Sequence, residues 1–151
     1  MFASGRRRYK RPGAPRRAER RRYAVGVDRV AVVNGLWDAR SRGDLAPLKA
    51  ALASDAKWRA VEDGPWNCDG SAAIMEVMTR QLADGLSGEI EDAIELGDRV
   101  VVAFRPDRHG PGAWPLEDGL RYVVVSFAGE HVSELKGCAD RASALSYARA
   151  A

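Results

Sequence analysis

The amino-acid sequence predicts an α+β fold in which helices lead and a mainly antiparallel sheet follows, in the order ααβαββββα. Three observations carry this. Apolar residues recur at helical spacing from Val27 onward. Between residues 88 and 138 the pattern changes to alternation and short apolar runs. Gly97-Asp98 and Gly129 then separate those runs at turn positions.

Val27, Val30, Val33 and Trp37 fall on one helical face and predict a helix over 27–41, ended by Ser41-Arg42-Gly43 with Gly43 as a left-handed cap. Asp44 caps a second helix over 44–53, with Pro47 in its first turn and Leu45, Leu48 and Leu52 on one face. Ala56 to Val61 reads as a short strand with Trp58 on its apolar side, and the Gly64-Pro65-Trp66 loop follows. Asp69, Gly70 or Ser71 caps a third helix over 70–84, which buries Ile74, Val77, Met78 and Leu82 and ends at Gly85. Strands are expected over 88–96, 99–105, 119–128 and 131–138, with a Pro/Gly-rich loop over 106–118. Asp140 caps a terminal helix over 140–149. No repeat and no second domain interrupt this order.

The net charge of +3 conceals two unlike parts. Residues 1–23 hold ten Lys/Arg against Glu19 alone, whereas the remainder carries fourteen basic and twenty acidic side chains. The folded part therefore offers little attraction to nucleic acid or an anionic membrane. Residues 1–24 read as a disordered basic tail and residues 25–151 as the domain, because Gly, Pro and like charge in the tail leave too little apolar surface to offset the entropy of ordering. Three readings of the tail stay open: a nucleic-acid-binding arm, a localisation signal, or a misassigned start in a GC-rich gene, with Val25 or Val27 where the domain begins. No apolar export segment follows the basic run, and no stretch approaches the ~18 apolar residues of a membrane helix. Cys68 and Cys138 form no metal or redox motif, so free thiols and a cytoplasmic location are expected.

The sequence has no Gly-rich phosphate loop, no dinucleotide fingerprint, no HExxH and no GxSxG elbow. His109 and His131 are its only histidines and lack metal-ligand spacing, so neither metal nor cofactor is expected.

Several segments, taken in order, resemble one superfamily. Leu36-Trp37-Asp38-Ala39-Arg40-Ser41-Arg42-Gly43-Asp44-Leu45 is similar to an opening helix pair joined by Gly-Asp. Asp55-Ala56-Lys57-Trp58 resembles the first strand, and Asp69-Gly70-Ser71-Ala72-Ala73-Ile74 the start of the third helix. Leu96-Gly97-Asp98-Arg99-Val100 resembles the central hairpin, and Val132-Ser133-Glu134-Leu135 with Asp140-Arg141-Ala142-Ser143-Ala144-Leu145 the closing strand and helix. The superfamily is the nuclear-transport-factor-2-like one, in its SnoaL-like branch. The resemblance implies a strongly curved sheet wrapped around the N-terminal helices, a cone with an apolar pocket, and a homodimer through the open sheet face. Apolar residues on both faces of strands 99–105 and 119–128 agree with such a second buried face. Members include isomerases, cyclases, epoxide hydrolases, dehydratases and non-catalytic proteins, so fold alone does not select a reaction.

Catalysis in such a cone rests on a few polar groups in apolar surroundings, where a carboxylate loses hydration and moves a proton near neutral pH. Period-two alternation puts Asp92 on the face of Ile90, Ile94 and Leu96, which makes it the expected acid–base residue; a β-bulge would instead return it to water. Tyr122, between Leu120 and Val124 on one face, is a second expected catalytic group, or a core tyrosine. Glu134 shares a strand with Val132 and Cys138 and is the third, or an ion-pair partner of Lys136. Trp37, Trp58, Trp66, Met75, Met78, Phe104 and Val124 are expected to line the pocket, with Trp66 and Trp114 at its mouth. Two functions follow as alternatives: a pocket protein acting on an apolar small molecule by isomerase-, cyclase- or dehydratase-like chemistry, or a non-catalytic dimeric binding module that the tail brings to nucleic acid.

Overall fold

Asp28 caps the first helix, its carboxylate accepting from the Ala31 N–H at 3.1 Å. The structure, a computed structural model, describes residues 28–106 and 119–150. The basic segment over 1–24 and the loop bearing His109 and Trp114 lie outside those residues.

Helix α1 spans Arg29–Ser41 and α2 spans Ala46–Ala51. Strand β1 (Leu52–Arg59) leads to a two-residue strand β2 (Cys68–Asp69) and helix α3 (Ser71–Ala83). Strands β3 (Gly88–Leu96), β4 (Arg99–Pro106), β5 (Arg121–Ala128) and β6 (His131–Cys138) follow, then α4 (Arg141–Arg149). The six strands form one curved sheet in the order β2-β1-β6-β5-β4-β3. All neighbours are antiparallel except β1 and β6.

The expected helices and the four later strands are present within two residues, and Asp140 caps α4 by accepting from the Ser143 N–H at 2.7 Å. Two differences stand out. Strand β1 starts at Leu52, because Leu52 pairs with Val132. An irregularity between Leu52 and Lys57 leaves Ser54 and Asp55 in solvent, so their polarity mimics a loop. Strand β2 is too short for any periodicity and exists only through its pairing with Lys57 and Trp58.

Both faces of the sheet are apolar and both are covered. On the inner face Val100, Val102, Val125, Phe127, Val132 and Leu135 pack against Val33 of α1, Leu48 of α2 and Ile74 and Met78 of α3. On the outer face Val101, Ala103, Tyr122, Val124 and Cys138 lie under Ala144 and Ala148 of α4. Part of the second apolar face expected from the sequence thus lies under the chain's own terminal helix. Among the described residues no helix is long and apolar enough to cross a membrane.

Two bulges decide which side chains face where. Ile90 pairs with Phe104 but Asp92 pairs with Ala103, so one extra residue, Glu91, separates them. Ile90 consequently packs toward the inner core, while Asp92 follows Ala103 to the outer face. In β6 the register shifts between Val132, opposite Phe127, and Glu134, opposite Ser126. Val132 stays inside and Glu134 turns toward α4.

Candidate functional site

The expected catalytic trio does not assemble inside the cone. Asp92 is a correction: its side chain is 51% exposed and pairs with Arg141 at 3.4 Å across the outer surface. The bulge at Glu91 is the reason. Tyr122 is buried on the outer face beneath α4, and Val124 beside it belongs to the same cluster rather than to a pocket. The strand pairings place Tyr122 and Glu134 in different rows, since Tyr122 opposes Cys138 and Glu134 opposes Ser126.

Glu134 has a different partner from the expected one. It accepts a short hydrogen bond from the Tyr147 hydroxyl of α4, while Lys136 donates to the Ala60 carbonyl at 2.9 Å. The Arg99 guanidinium lies 5.2 Å from the centre of the Tyr147 ring, and the Lys136 ammonium 5.9 Å. Arg99 also closes the end of the helix by donating to the Tyr147 and Ala150 carbonyls at 2.6 and 3.0 Å. This cluster fastens α4 to the sheet. Burial, the hydrogen bond to Glu134 and that carboxylate's charge push the Tyr147 phenol up to about 12. Since the fold favours the neutral phenol, its contribution to stability is complete below the ordinary value of 10.0 and is lost as pH rises towards 12. Tyr147→Phe should therefore remove a tyrosine that ionises near 12 from an alkaline absorbance titration. It should also cost about 1–2 kcal/mol at neutral pH, as Glu134 loses a donor. Tyrosine titration curves unchanged by the substitution would contradict this placement.

A groove opens instead between α1 and the start of β3. Asn34, Trp37, Asp38 and Ser41 line one side, at the three- and four-residue spacing that stacks side chains on one helical face. Gly88, Glu89 and Ile90 line the other, around a volume of about 520 Å³. Gly88 is required here: a Cβ would stand 2.4 Å from the Arg105 carbonyl oxygen. Trp37 leans on Phe104 with ring centroids 4.7 Å apart and planes at 53°. Its indole Nε1 is buried and has no hydrogen-bond partner among the described residues.

Of the residues expected to line a pocket, Trp37 therefore does so, and Phe104 backs it. Met78 is buried in the inner core, and Trp58 packs against that core. Met75 borders a shallow depression on α3 with Ala72, Glu76 and Thr79. Trp66 is 70% exposed, so it does not line the groove. Two arginines escaped the sequence reading. Arg40 is buried between α1 and α3, donates to Gln81 Oε1 at 3.2 Å, and has its pKa lowered by burial. Arg121 opens β5 opposite Phe104, and burial lowers its pKa as well. The signal that would have found Arg121 is a lone cation among Val123, Val125 and Phe127 on one strand face. Among the described residues no group of His, Cys, Asp or Glu is placed to hold a metal ion.

The family model of the SnoaL-like domain matches residues 33–131. The chain belongs to the SnoaL-like domain family. Solved structures share the fold of this SnoaL-like domain. A nuclear-transport-factor-2-like protein from Burkholderia pseudomallei is 21% identical, with 80% of this chain and 97% of that one covered and a TM-score of 0.60. A proposed polyketide cyclase from Sinorhizobium meliloti is 19% identical, with 71% and 93% covered and a TM-score of 0.59. Another proposed polyketide cyclase, from Xanthomonas campestris, is 19% identical, with 74% and 89% covered and a TM-score of 0.54. No curated protein matches the chain.

Proposed function

We propose that this SnoaL-like domain binds a small, largely apolar organic molecule in the groove between α1 and β3. The observation that carries the reading is Trp37. It stands in the groove wall against Phe104, with a buried indole N–H that has no acceptor among the described residues. Buried donors without acceptors are rare in folded proteins. Trp37 and Ile90 give the groove its apolar surface, and Asn34, Asp38, Ser41 and Glu89 its polar groups. The two proposed polyketide cyclases among the similar structures support a small organic ligand. An acid–base step on that ligand would fall to Asp38 or Glu89, the carboxylates lining the groove, and not to Asp92, Tyr122 or Glu134.

The neutral fluorophore phenylnaphthylamine tests the reading. It should bind with a micromolar Kd, and Ser41→Trp should weaken it by at least about tenfold by filling the groove. Ser41 is exposed at the end of α1, so the variant should fold normally. Binding that ignores the added indole, or no binding at all, would refute the site.

A further inference from the structure

Strand β5 turns residues 121, 123, 125 and 127 to the inner face, as shown by Val125 and Phe127 in the inner core and Tyr122 and Val124 in the outer one. Three of these four are apolar, and Arg121 is the exception. It sits half-buried in register with Phe104, which on its other side is in register with Ile90 of the groove. One row across the inner face therefore reads Ile90, Phe104, Arg121, with adjacent strands about 4.8 Å apart. Trp37 stacks above its centre.

Among the described residues Arg121 is also without a counter-ion. The ion pairs of the described residues join Arg29 to Glu95, Arg59 to Asp69, Arg105 to Glu91 and Arg141 to Asp92. Its strand neighbour Arg105 is thus neutralised by the bulged Glu91, and Arg121 is left as a partly desolvated cation. Desolvation makes an unpaired charge costly, and an arginine cannot relieve that cost by losing its proton. Its planar fork of donors matches a carboxylate or sulfonate.

We propose that Arg121, on the same sheet face as Ile90 and two strands along from it, is the anion-binding group beside the groove, and that the natural ligand is an aromatic or polycyclic carboxylate. Its flat apolar body lies on Trp37 and Ile90 while its acid group meets the guanidinium. This rests on the groove being the binding site.

The test compares two probes that share an aromatic body. Anilinonaphthalene sulfonate carries the anion and phenylnaphthylamine does not. The wild-type protein should bind the sulfonate at least about tenfold more tightly at low salt, with the preference shrinking as salt rises. Arg121→Gln should abolish the preference without changing affinity for the neutral probe, and Arg121→Lys should keep part of it. Because the cation has no ion-pair partner among the described residues, Arg121→Met should raise Tm by about 2–4 °C. A sulfonate preference that survives Arg121→Gln overturns the proposal, as does a Tm several degrees lower in Arg121→Met. Loss of neutral-probe binding in Ser41→Trp alongside an unchanged sulfonate preference in Arg121→Gln leaves the groove standing and removes the anion site. An Arg121-dependent sulfonate site that Ser41→Trp does not touch leaves the anion site standing and removes the groove.

Discussion

Replacing Ala144 with aspartate will lower the melting temperature by about 12 °C. Ala144 is fully buried where α4 meets the outer face of the sheet, and its single methyl lets the helix approach Val101, Val124 and Cys138. An aspartate there either carries an unpaired carboxylate against valines or pushes the helix away. Burying an unpaired charge costs on the order of 3 kcal/mol even after relaxation. For a domain of this size 1 kcal/mol corresponds to roughly 4 °C. The exposed neighbour substitution Ala142→Asp should change Tm by no more than about 2 °C. Once α4 lifts, the apolar outer face is open, and light scattering should show self-association in Ala144→Asp but not in Ala142→Asp. Equal melting curves for the two variants would mean that α4 does not cover this face.

Ile74→Ala will cost about 3–4 kcal/mol, read from urea unfolding as a lower midpoint with an unchanged slope. Ile74 is completely buried in α3 and packs in the inner cluster with Val33, Ala56 and Met78. Three carbons are lost there, and the surrounding strands are too constrained by pairing to fill the space. Its neighbour Met75, only partly buried, should cost about 1–1.5 kcal/mol when changed to alanine. A smaller loss at Ile74 than at Met75 would show that α3 is rotated from the orientation described.

The helices and long strands were legible because their signals are local. Val30, Val33 and Trp37 repeat at helical spacing, Asp140 sits one residue before α4, and Gly97 takes a positive φ of 63° in the β3–β4 turn. Of the residues expected to line a pocket, only Trp37 lines the groove. Alternation places residues on faces by counting in twos, and one inserted residue reverses every face beyond it. Glu91 and Ser133 are such insertions, which is why Asp92 and Glu134 were expected inside and lie outside. Nothing in Glu91-Asp92 or Ser133-Glu134 distinguishes a bulge from regular strand. The destination of α4 was equally hidden. Ala144 and Ala148 mark a helix with a small-residue face, but only the three-dimensional arrangement shows which side of the sheet that face meets. Tyr147 escaped for the same reason, since its partner Glu134 lies on another element.

The parallel pairing of β1 with β6 also governs the order in which the domain can be built. Leu52 meets Val132, and Trp58 meets Leu135, about 80 residues further along. Hairpins β3–β4 and β5–β6 close over short distances and can form as soon as their strands are available. The β1–β6 ladder carries the entropy of the largest loop in the sheet. On a ribosome, β1, with β2 attached, waits as an unpaired edge until β6 has emerged. The N-terminal helices are then held against half a sheet, and the final docking of the two halves is the step that should limit the folding rate.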